Sequence, residues 1–173
     1  MKSTPVLSDL ELALIGLIRE EARSGYSLRK AVVDFPHFSD SPGAIYPALR
    51  RLRTAGLIEA TAEATGRKTE VFRITAAGRR ALRATLEVPP TERESTDRQM
   101  LRFAFLDLEL DANAVANFLQ DLARIAEERA ARLRGRSAIL ERSAARLAVD
   151  HEVEVQAARA RWAERAAKRI RKA

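Results

Sequence analysis

Apolar residues recur at the helical period through most of this chain. Leu7, Leu10, Leu14, Leu17 and Ile18 make one stripe of a helix expected over residues 9–22. Ser8 or Ser3 can cap its start, and Glu11 stands three residues after Ser8, the spacing of a capping box. Ser24 and Gly25 break the pattern, and residues 26–34 read as a short second helix with Leu28, Val32 and Tyr26 turned inward. Phe35-Pro36 opens a loop that holds His37, because proline disfavours helix in the residue before it. Ser41 and Pro42 then suit the cap and first position of a third helix. Its Ile45, Ala48, Leu49 and Leu52 share one face, and Gly43, Tyr46, Pro47, Arg50, Arg51 and Thr54 lie across from them. Pro47 deletes a backbone donor, so either the regular helix starts nearer Ala44 or its first turn is distorted, with Gly43 absorbing the strain. Gly56 ends this helix.

From residue 57 to residue 74 the pattern becomes that of a β-hairpin around Thr65-Gly66-Arg67-Lys68, with Phe72 and Ile74 on one face and Val71 and Arg73 on the other. Thr75 caps a fourth helix, 76–86, whose Leu82 and Leu86 return to the core. The order helix, helix, helix, hairpin, helix is that of a winged helix-turn-helix. Pro89-Pro90 and the polar run after it mark a boundary, which gives an expected winged-helix domain at 1–88, a linker at 89–98 and a helical domain at 99–173. The helical part should hold a short apolar helix over 99–108, a long one capped by Asp111, and a last one over about 150–171 carrying Val153, Val155, Trp162 and Ile170. Leu119, Ala126, Leu133, Leu140 and Leu147 keep a seven-residue interval, a seam that could pair with another helix.

The fold class expected is therefore mainly α, a winged helix-turn-helix domain followed by an all-helical dimerisation domain. So many apolar helix faces strung out in a line call for a second copy. Phe103, Leu106, Phe118, Leu122, Ile125 and Trp162 are the residues expected to serve dimerisation. Trp162 is read as a packing anchor at that interface rather than a ligand contact.

Composition narrows the function classes. Lys plus Arg number 31 against 24 Asp plus Glu, a net charge of +7 that suits a polyanionic partner. There is no cysteine, and His37 and His151 have no carboxylate at a metal-binding spacing, so no catalytic, metal or cofactor site is expected. No phosphate-cradling glycine loop or nucleophile motif is present either, and an enzyme is not expected. No leader segment or membrane span is expected, and the simplest location is the cytoplasm.

Several runs together resemble the PadR family of transcriptional regulators. They are residues 14–18, Gly25-Tyr26-Ser27-Leu28, residues 43–52 with the Tyr46-Pro47 pair, Gly56-Leu57-Ile58, Gly66-Arg67, and Ile74-Thr75 with Gly78. The resemblance covers the first half of the chain closely. It implies a homodimer that sets its third helices into successive major grooves of a pseudo-palindromic operator, usually repressing a nearby gene, and responding in some members to phenolic acids or hydrophobic drugs. The family's wing strands usually carry a tyrosine pair, where Val71-Phe72 stands in this chain.

The partners expected are double-stranded DNA, a second copy of the chain and a small-molecule effector, with no membrane. Tyr46, Arg50 and Gly43 should approach DNA from the exposed face of the third helix, with Ser41 and Ala44 near its amino end. Tyr26, Ser27 and Lys30 on the second helix and Arg67 and Lys68 on the wing should hold phosphates, which position a protein without naming a sequence. Arg51 and Arg53 point further round and are expected to be solvated or paired within the chain. The alternative is an interaction module in which the winged helix binds protein and the helices form a scaffold.

Overall fold

Ser8 opens the first helix in the way its spacing predicts. In the computed structural model, which describes residues 6–33, 42–62 and 70–172, α1 spans Asp9–Glu20. The Ser8 amide donates to Glu11 Oε2 at 3.0 Å, and the Glu11 amide donates to Ser8 Oγ at 3.3 Å. These bonds satisfy amides that the first turn leaves without partners. The helix buries Leu10 and every residue from Leu12 to Ile18. It touches α2 (Gly25–Val33), α3 (Ile45–Thr54), α4 (Ala76–Glu87), α5 (Thr96–Phe103) and strand β3 (Glu70–Ile74), so it is the axis of the core.

Two features, a short strand and the side of α2 that Tyr26 takes, differ from the sequence reading. Arg23 and Ser24 form a short strand, β1, paired antiparallel with Phe72 and Val71 of β3. With β2 (Ile58–Ala62) the sheet order is β1-β3-β2. Tyr26 is 74% exposed rather than inward, because it lies two residues before Leu28 and so on the opposite side of α2. The third helix begins with a 3-10 turn at Pro42–Ala44 and becomes regular at Ile45. Pro47 is thus the third residue of α3, within the first turn, where a missing amide breaks no internal bond. The Ser41 cap and the tip of the hairpin, with Gly66, Arg67 and Lys68, lie outside the described residues, as does His37.

Gly56 leaves α3 with φ 70, the left-handed conformation that glycine adopts without steric cost. The chain then enters β2, which pairs with β3 from Ile58↔Ile74 to Ala62↔Glu70. Phe72 is buried on this sheet while Arg73 beside it is exposed. Thr75 ties sheet to helix. Its hydroxyl donates to the Gly56 carbonyl at 2.7 Å and accepts from the Gly78 amide at 3.0 Å. Leu82 and Leu86 of α4 are buried, as expected.

The contacts divide the chain into two units: Met1–Val88 with Ser95–Leu110, and Pro89–Glu94 with Asp111–Ala173. The segment 95–110, most of it assigned by sequence to the helical domain, packs with the winged helix. The Phe105 ring is fully buried over Gly16, where an added β-carbon would lie 2.7 Å from ring atoms. Arg19 Nε donates to Glu109 Oε1 at 2.5 Å and its Nη2 to the Leu108 carbonyl at 3.2 Å. Arg98 bonds Asp9 and the Leu7 carbonyl, and buried Arg102 bonds the carbonyls of Leu86 and Val88. Segment 89–94, expected as a free linker, belongs to the second unit, where Glu92 pairs with Arg132 at 2.9 Å.

In that second unit α6 (Ala112–Ser137) and α7 (Ser143–Ile170) pack antiparallel. Ser137 donates to Asp150 at 2.5 Å near the connection, and at the other end Arg171 donates to Asn117 and Gln120 at 3.2 and 2.8 Å. Asp111 caps α6, accepting from the Ala114 amide at 2.8 Å. On α7 the buried seam is Gln156, Ala160, Ala163 and Ala167. The seven-residue seam does not run through. Leu119 and Ala126 are buried on α6, but the helix ends at Ser137, Leu140 falls in the connection, and Leu147 on α7 is 69% exposed.

Candidate nucleic-acid interface

The residues expected to meet DNA come together on one side of α2 and α3. Tyr26 and Lys30 of α2 are exposed, and Ser27 is half-buried, with its amide donating to Ser24 Oγ at 3.1 Å. Gly43 of the 3-10 turn is exposed and Ala44 half-buried. Tyr46 is 51% exposed, and Arg50, one turn further along α3, is exposed. Arg29, exposed beside Lys30, belongs with this group, and its adjacency to Lys30 in the sequence was the signal for it. Ser41, Arg67 and Lys68 are outside the described residues.

Tyr46 does two things at once. Its ring lies so close to Gly25 that a β-carbon there would sit 2.9 Å from Cε1 and 3.4 Å from the hydroxyl oxygen. One side of the ring therefore spaces α3 from the start of α2, while about half of the side chain remains open to solvent. A phenol held by packing on one side presents its polar end at little cost in side-chain entropy.

The arginines of α3 fall into two kinds. Arg51 Nε donates to Glu11 Oε1 at 2.8 Å, and Arg53 reaches Glu70 at 3.5 Å. Arg50, just before them in sequence, is in no ion pair among the described residues. Burial, the largest single influence on Glu11, pushes its carboxyl up. The hydrogen bond from Arg51, those from Ser8 and the Arg51 charge together outweigh it and hold the group below the ordinary value of 4.5. Glu11 is therefore an ionised partner that occupies Arg51, a role the sequence reading did not assign to it. Only the crossing of α1 and α3 brings the two together.

The residues expected at the dimer interface fall in both units. Phe103 and Leu106 are in the first unit, and Phe118, Leu122, Ile125 and Trp162 in the second. Leu106 and Leu122 are fully buried within the single chain, and Phe118 and Ile125 nearly so. Trp162 is half-buried on α7. The large apolar side chains exposed on that helix are Leu147 and Val155.

Two helices in succession, the second with an open aromatic and cationic face, followed by a hairpin, define the first unit as a winged helix-turn-helix with the features of a nucleic-acid reader. Residues 14–84 match the family described as Transcriptional regulator PadR-like family. That stretch takes in most of the winged-helix unit, which is thus similar to a family of transcriptional regulators. Among solved structures the chain is similar to PadR of Bacillus subtilis in complex with operator DNA, with 22% identity over 94% of this chain and 99% of that one and a TM-score of 0.44. The same protein in complex with p-coumaric acid is similar at 22% identity over 94% and 99% of the two chains, TM-score 0.44. The PadR-like regulator BC1756 from Bacillus cereus is similar at 21% identity over 94% and 98%, TM-score 0.41. No curated protein matches the chain. Among the described residues no helix is long and apolar enough to cross a membrane, and no cluster of His, Cys, Asp and Glu could hold a metal ion.

Proposed function

We propose that this chain is a transcriptional regulator that works in the cytoplasm as a homodimeric repressor of a pseudo-palindromic operator, and that a small hydrophobic or phenolic effector releases it. The observation that carries the reading is the division among the arginines of α3. Arg51 and Arg53 are occupied by carboxylates, while Arg50 shares an open face with Tyr46. An arginine held free on a rigid helix suits paired hydrogen bonds to a guanine edge, worth about 1–3 kcal/mol of discrimination. Tyr26, Ser27, Arg29 and Lys30 suit phosphates along the groove edge, and Arg67 and Lys68 the flanking backbone.

Self-association through the helical unit is the second part of the reading. Leu147 and Val155 stand exposed on α7, which also carries half-buried Trp162, and a second copy would cover them. Phe118, Leu122 and Ile125 then support that surface from beneath rather than forming it.

Footprinting on the DNA immediately upstream of the chain's own gene, with a salt series, tests the reading. A protected pseudo-palindrome with half-sites roughly one helical turn apart supports a dimeric reader. Failure to bind any duplex at low salt, with a protein partner retained, would replace it with the interaction-module alternative.

A further inference from the structure

The last turns of α7 carry a second cationic surface, remote in sequence from the winged helix. Arg161, Arg165, Lys168 and Arg169, continued by Lys172 in the turn after the helix, are all exposed. Their spacing of four, seven, eight and eleven residues from Arg161 puts all five on the side of the helix opposite the buried Ala160, Ala163 and Ala167. Three arginines of α6 are neutralised: Arg124 by Asp121 and Glu128, Arg129 by Glu152, Arg132 by Glu92. None of the five is in an ion pair among the described residues. They are like-charge neighbours three and four residues apart, an arrangement that weakens a helix, and Glu164 is the single acidic residue among 161–172 to set against them. A favourable interaction with the carboxyl end of the helix dipole applies only to the last turn and leaves Arg161 and Arg165 without a reason.

We infer that this stripe binds the phosphate backbone of duplex DNA, as a sequence-independent contact additional to the winged helix. The inference rests on the reading of the chain as a DNA binder and goes beyond it in giving the helical unit a direct contact. Eleven residues of helix rise about 16 Å, a length over which one strand of a duplex presents about five phosphates. A membrane surface fits less well. A helix lying in a bilayer interface needs a free apolar face, and the face opposite this stripe is an alanine seam already buried in packing.

The test uses the full chain and a duplex unrelated to any operator, with affinity followed against salt. The variant replaces Arg161, Arg165, Lys168, Arg169 and Lys172 together by Gln, a good helix former, and circular dichroism checks that helix content is kept. Each phosphate contact contributes about 0.9 to the slope of log K against log salt, so the slope should become shallower by about 3–4. A second variant, with Arg161, Arg165 and Arg169 changed to Lys, should keep the parental slope. An unchanged slope in the Gln variant overturns the inference and leaves the winged-helix reading intact, provided that an Arg50→Ala, Lys30→Ala variant still loses affinity. A Gln variant that keeps its DNA slope but loses binding to phosphatidylserine vesicles or to polyglutamate overturns it in favour of that partner. A parent chain that binds no duplex at low salt overturns both readings together.

Discussion

The ring of Tyr46 lies against Gly25, so the first residue of α2 sets where the tyrosine of α3 stands. In Gly25→Ala a methyl group would occupy space 2.9 Å from the ring, and the half-exposed ring is free to swing away. The gain in helix propensity, up to about 1 kcal/mol, offsets the lost contact, so thermal stability should change little. Affinity for the operator should fall about fivefold, about 1 kcal/mol. An operator affinity equal to the parent's would show that the position of Tyr46 does not matter to binding.

Arg50 and Arg51 should behave differently although they are adjacent. Arg50→Ala is expected to lose about 1–3 kcal/mol against the operator and to relax base preference at one position of each half-site. Arg51→Ala should leave base preference unchanged and lower stability by about 0.5 kcal/mol, as for an exposed ion pair, since its partner is Glu11. Binding selections on randomised half-sites with each variant decide between these roles, and identical shifts for both would remove the distinction.

Glu11 gives a pH signature. Its carboxyl is held below 4.5, so the folded state favours the ionised form. The stability this contributes is complete above 4.5 and is lost as pH falls through the lower value of the folded state. Glu11→Gln keeps a residue suited to the capping box and removes the titration. The parent should lose more of its urea-unfolding free energy between pH 5 and pH 3 than Glu11→Gln does, and parallel curves would count against the ion pair.

Phe105 supports the winged helix from outside the segment that matches the family. Phe105→Ala should cost about 3–5 kcal/mol, the usual range for a fully buried phenylalanine, given that none of its surface is exposed. A chain ending at Leu110 should accordingly unfold at a higher temperature than one ending at Glu94, which lacks Phe105, Arg98 and Arg102. Equal midpoints for the two fragments would return segment 95–110 to the helical domain.

Much of the fold was legible because its signals are local. Ser8 with Glu11, Thr75 before α4, Asp111 before α6 and Gly56 after α3 each act within one turn of themselves, and each does what its spacing predicts. Pro47 resolved into the first turn of a shorter helix, a boundary question on which a single residue decides. The errors concern partners far away in sequence. Ser24 looks like a breaker, but whether it pairs as a strand depends on β3. Phe105 and Leu106 look like any apolar helix residues, and nothing near them says that α1 is what they cover. The regular interval from Leu119 to Leu147 crosses a turn, which periodicity alone does not register. Of the candidate interface, the open face of α3 could be read from its amphipathic pattern. Pairing of Arg51 and Arg53 within the chain was one of the two expected outcomes, but the carboxylates that take them, Glu11 and Glu70, could not be read, because they come from other elements.

The chain passes between the two units three times, at 88/89, 94/95 and 110/111. A module joined at a single seam can be exchanged by one recombination event, as beads are on a string. Here one crossover anywhere in 89–110 would separate Glu92 from Arg132 or Phe105 from Gly16, leaving one product with an uncovered core or an orphaned charge. Shuffling of the helical half onto another winged helix would have to bring the whole interlaced segment from one parent, together with the surfaces it covers on both sides. Divergence in place, residue by residue, is the easier route for such a chain to acquire new effectors.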